Sequence, residues 1–88
     1  MKVIAIENIS RKDVPIYYRL VYAGVAVIEL FNGVTGDYRI DFSIETTPLG
    51  EKQISVSLRD GIDYPLLPVL RELKKAIRGM HNDGELPD

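Results

Sequence analysis

The chain has 88 residues, 45% hydrophobic and 27% charged, with a net charge of −2 and no cysteine. That length makes one domain, and the balance of apolar and charged residues excludes a disordered chain. The missing cysteine excludes disulfides and thiolate metal sites, and the slight negative charge excludes a globally basic nucleic-acid binder. Met1–Asn8 lacks the apolar run of a signal peptide, and no stretch approaches the roughly 20 apolar residues of a membrane helix. A cytoplasmic protein without membrane contact is therefore expected. A domain this small buries a limited core, which favours oligomers.

Lys2–Ile6 is a short β-prone run, apolar on both sides, and polar Asn8–Val14 reads as a connection. Pro15–Tyr22 forms the next strand, with Ile16, Tyr18, Leu20 and Tyr22 on one face and Tyr17, Arg19 and Val21 on the other. Ala23-Gly24 reads as a tight turn into a third strand, Val25–Phe31; the alternative is one bent strand with a bulge at Gly24. Asn32–Gly36 is a turn rich in glycine and asparagine.

Asp37–Thr46 is the stretch around which the chain is organised. Tyr38, Ile40, Phe42 and Ile44 alternate strictly with Asp37, Arg39, Asp41, Ser43 and Glu45, the pattern of a half-buried strand. Thr47–Glu51 turns, and Gln53–Arg59 is the last strand, with Ile54, Val56 and Leu58 inward. A helix follows from about Pro65 to about His81, its apolar stripe formed by Leu66, Leu70, Leu73, Ile77 and Met80. Asp63 is placed to cap it, Pro68 to delay its start, and Asn82 and Gly84 to stop it.

The fold class expected is α+β: an antiparallel meander of four to five strands with one C-terminal helix packed on one face, across Ile40, Phe42, Ile54 and Val56. Residues 1–82 make the single domain, and 83–88 an acidic flexible tail. Five strands span roughly 20 Å, whereas a helix is only about 10 Å wide. A second apolar face is thus left over, carrying Tyr17, Val21, Val25, Val27 and Phe31. Curling of the sheet, a second copy of the chain, or another protein partner would hide it.

No motif names a reaction. On the helix, Arg71, Lys75 and Arg78 share a face opposite the leucines, with Lys74 beside it. Together with Arg19 and Tyr17 they form a candidate anion or nucleic-acid surface; the plainer reading is a solvated face whose cations favour the helix C-terminus. His81 is the lone histidine and has no nucleophile or second ligand nearby. Asp37, Asp41 and Glu45 on one strand face read as solvated charges rather than an acid–base pair. Asp60 and Asp63 around Gly61 supply too few ligands for a calcium loop. No catalytic residue, cofactor or metal is expected.

The order of several antiparallel strands followed by one helix, from about Pro15 to His81, resembles the single-stranded nucleic-acid binders of the PC4, PUR and Whirly type. The likeness implies a curved sheet, dimerisation and oligonucleotide binding. The chain departs from it in charge, because Asp37, Asp41 and Glu45 stand among the outward residues where those binders are basic. The leading expectation is a non-enzymatic interaction module, homodimeric through the second sheet face. Single-stranded nucleic-acid binding is the alternative.

Overall fold

The computed structural model describes residues 1–88. It is an α+β fold: a four-stranded antiparallel meander of β1 (Lys2–Lys12), β2 (Arg19–Phe31), β3 (Val34–Thr46) and β4 (Lys52–Leu58), followed by one helix, α1 (Leu66–Asn82). Thirteen-residue strands at about 3.3 Å per residue span about 43 Å. That matches the 42 Å long axis of the molecule, which is 23 Å across in both other directions.

The strict alternation of Asp37–Thr46 sits at the centre of β3. Ile40, Phe42 and Ile44 are buried there, joined by Tyr22, Ala26 and Ile28 from β2, Ile54 from β4 and Val69, Leu73 and Ile77 from α1. Phe42 stacks on Tyr22 with ring centroids 5.0 Å apart, a pair that adds to the burial of both rings.

The expected hairpin at Ala23-Gly24 does not form. β2 runs straight through, with Gly24 opposite Ile40, so the sheet has four strands. Gly24 is needed for close approach rather than for a turn: a Cβ there would meet the Glu7 carbonyl oxygen at 3.2 Å and Ile9 Cγ1 at 3.3 Å. Gly24→Val is therefore expected to lower stability by about 1–3 kcal/mol through overpacking, read from the urea midpoint. The true hairpin is Asn32-Gly33, both residues at positive φ (48° and 78°), as the two-residue turn between twisted strands requires.

Two strand boundaries also move. β1 continues to Lys12, past bulges at Ile4 and at Asn8–Ile9, with Asn8 at φ 52°. β2 begins only at Arg19, so Tyr17 and Tyr18 lie in the turn before it.

The helix begins at Leu66 despite Pro68, because a proline in the first turn lacks only a donor with no intrahelical acceptor. Asp63 does not cap it; Pro65 stands at the N-cap and no side chain bonds there. The C-terminus closes as expected at Gly84 (φ 70°), with Glu85 N–H on the Met80 carbonyl and Gly84 N–H on the His81 carbonyl, a Schellman ending. The buried line of the helix is Val69, Leu73 and Ile77, with Leu70 and Met80 half-buried and Leu66 exposed. Beyond it, in the segment expected to hang free, Leu86 packs against the core.

The mismatch between helix width and sheet width is resolved by curvature. The α1 backbone comes within 8 Å, Cα to Cα, of both edge strands, β1 and β4, and stays farther from β2 and β3. The sheet is concave toward the helix, and the large side chains of the two central strands fill the space between.

Candidate functional site

The outer, convex face of the sheet is not the apolar surface expected. Val21, Val25 and Val27 do share it, but they form a lane one strand wide. They are paired on one side with Lys12, Glu7 and Ala5 and on the other with Ser43, Arg39 and Asp37. Tyr17 precedes the strand and is 97% exposed. Phe31 leaves the lane altogether. A bulge at Leu30 sets Phe31 opposite Val34, on the helix side, where its ring meets Tyr64 at 5.5 Å. The five residues therefore do not make one patch.

Ion pairs cover the lane. Lys12 reaches over β2 to Asp41 at 3.3 Å, so its methylene stem lies across Val21 and Ala23, apolar surface shielded by a charged chain. Asp41 also accepts from Arg59 Nε at 2.6 Å and Nη2 at 2.9 Å. Arg39 forks onto Asp60, with Nη2 at 2.6 Å and Nε at 3.1 Å from Oδ1, while its backbone N–H donates to Asp60 Oδ2 at 2.7 Å. Asp60 thereby completes the β3–β4 ladder: Arg59 N–H donates to the Arg39 carbonyl, and the carboxylate takes the N–H that the ladder leaves over. Arg19 pairs with Glu45 directly across the strands at 3.0 Å.

These contacts set the acidity of the carboxylates. The Arg39 side chain, then its backbone N–H, hold Asp60 at about 2, and the Arg59 guanidinium holds Asp41 below its usual value. Both are pulled away from the near-neutral range that general acid–base work requires. A carboxylate depressed in the folded state stabilises above its unfolded value of 3.8, and this is lost as the pH falls through the folded value. The thermal midpoint should accordingly drop between pH 3.8 and about 2, and Asp60→Asn should flatten that part of the curve. In the core, burial raises the Tyr22 hydroxyl above 10.0. The stabilisation is present below the unfolded value and lost at higher pH.

The helix cations behave differently. Arg71, Lys74, Lys75 and Arg78 are all exposed, and none forms an ion pair. The structure does not join them to Arg19, which is tied to Glu45, or to Tyr17, which packs edge-on against Tyr18 above a hollow reaching Glu45 and Pro48. Asp37 stays exposed, and His81 sits half-buried in the last helical turn.

Open apolar surface gathers elsewhere, at the end of the molecule where α1 begins. A groove of about 400 Å³ runs between β4 and the helix, lined by Val56, Leu58, Ile62, Tyr64, Leu66 and Leu70. Phe31 stacks beside Tyr64, and Phe31, Val34 and Leu67 are 55%, 64% and 74% exposed. Sequence reading missed this site because Ile62 and Tyr64 sit in a connection, and because Phe31 changes face only through the bulge. The one available signal was the Leu66-Leu67 doublet, which widens the helix stripe beyond what a core needs.

Fold and surfaces together define a small α+β domain, an antiparallel meander curled around one helix, with an ion-paired outer face and one open apolar groove. The chain belongs to the BB_0187 family, whose model matches residues 1–82. No curated protein and no solved structure matches it, so the likeness to PC4, PUR and Whirly proteins rests on element order. No helix is long and apolar enough to cross a membrane.

Proposed function

We propose that the chain is a non-enzymatic assembly module that associates with a second copy of itself, working in the cytoplasm. The observation that carries this reading is the concentration of uncovered apolar surface at one end of the fold, in the groove and at Phe31, Val34, Leu66 and Leu67. Contiguous exposed apolar surface on a small domain marks an interaction site. The absence of cysteine suits a reducing compartment. Light scattering on the purified chain is expected to give about twice the 9.9 kDa protomer mass. A strict monomer at submillimolar concentration would remove the reading.

A second reading, single-stranded nucleic-acid binding, is favoured by the four unpaired cations on the outer helix face. Anisotropy of a labelled oligonucleotide should then show log affinity falling with log salt at a slope of about −3, four contacts at roughly 0.7 each. Absence of binding at low salt would end it.

A further inference from the structure

We propose that two copies pair edge to edge through β4, in antiparallel register centred on Val56, so that their sheets become one. This rests on the self-association reading and names its surface.

Backbone direction identifies the edge. Arg59 N–H donates to the Arg39 carbonyl and Thr47 N–H to the Glu51 carbonyl, each at 2.8 Å. In an antiparallel ladder this alternation turns both backbone groups of Gln53, Ser55 and Ser57 toward β3. Lys52, Ile54, Val56 and Leu58 turn theirs away from the sheet, and no backbone hydrogen bond from a turn or loop reaches them. β4 is regular, with no bulge against β3 and no proline. The opposite edge, β1, is interrupted by two bulges, a usual guard against strand addition. The unprotected edge is the one beside the apolar groove.

The sequence of β4 suits a second copy of itself. Outward-bonding positions must face outward-bonding positions, and Val56 opposite Val56 with Ile54 opposite Leu58 satisfies this. Lys52 is the only charged residue in β4. In this register it comes opposite Asp60 of the second copy, while Arg59 comes opposite Gln53, so charges complement and none is opposed by its like. The interface is isologous, as two-fold pairing requires. Side chains at 54, 56 and 58 of the added strand fall on the helix side. Leu66 and Leu70 from each copy then close the groove that is open in the single chain.

The chain has no cysteine, so paired thiols can be introduced on a clean background. Ser55 and Ser57 are exposed, and Ser55 of one copy would oppose Ser57 of the other in a non-hydrogen-bonded pair. Their Cα atoms would lie about 4.5 Å apart, within disulfide reach. Oxidising a mixture of the S55C and S57C variants is expected to give a cross-linked dimer on a non-reducing gel, with little from either variant alone. S55C cross-linking to itself would overturn the Val56-centred register. A dimeric mass with no cross-link from any combination would overturn pairing through β4 and leave self-association standing. A monomeric mass would overturn both.

Discussion

Leu73→Ala should be the most damaging single truncation in the helix. Leu73 is fully buried and lies midway along the line Val69, Leu73, Ile77, where α1 fills the concave side of the sheet. Removing its isobutyl group forfeits transfer energy and leaves a cavity that neighbours on both sides cannot close, about 2–5 kcal/mol in such cores. Small domains are held by only about 5–15 kcal/mol in total, and each kcal/mol moves the midpoint by about 4–8 °C at this size. A fall of at least about 10 °C in a thermal melt is expected on that scale. Leu67→Ala is the control. Leu67 is 74% exposed, well over a turn away on the open side of the helix, so its loss should stay within about 0.5 kcal/mol. Equal effects at the two positions would mean that the helix does not dock as described.

Val56→Pro should separate assembly from folding. The Val56 N–H points away from β3, so a proline there deletes no bond of the β3–β4 ladder, and prolines are tolerated at edges with that orientation. The residue before it, Ser55, is already extended, as a following proline prefers. In the β4-paired dimer the same change removes two hydrogen bonds across the two-fold axis and sets two rings against each other. At about 0.5–1.5 kcal/mol for each bond, the dimer should weaken by roughly 10-fold or more. Circular dichroism should remain that of the parent while the scattering mass falls to the protomer. Retention of the dimer would place its interface elsewhere.

The outer face shows why the apolar excess did not take the form expected. Setting one helix width against the width of the strands treats the sheet as flat, yet β1 and β4 both bend back to α1. The remaining valines are covered by reach rather than by a second layer, with Lys12 spanning β2 to meet Asp41. What stays open is the flank of the helix beside β4, where curvature ends and no further strand follows.

Alternation at Asp37–Thr46 and the four-and-three stepping of the helical apolar residues were enough, alone, to determine an antiparallel sheet with one C-terminal helix. Both periods follow from local backbone geometry and survive any tertiary arrangement. The cations at Arg71, Lys74, Lys75 and Arg78 were legible for the same reason: a helix places its outward face by spacing alone. Tertiary structure decided the rest. A bulge adds one residue and turns every side chain after it, so Phe31 changed sides and β1 ran past Asn8 without any break in composition. Gly24 looked like a turn because glycine permits one, whereas the nearness of Glu7 and Ile9 on a neighbouring strand is what required it. The groove exists only because Val56, Leu66 and Leu70 converge from separate elements, and convergence between elements is a property of packing that no local pattern encodes.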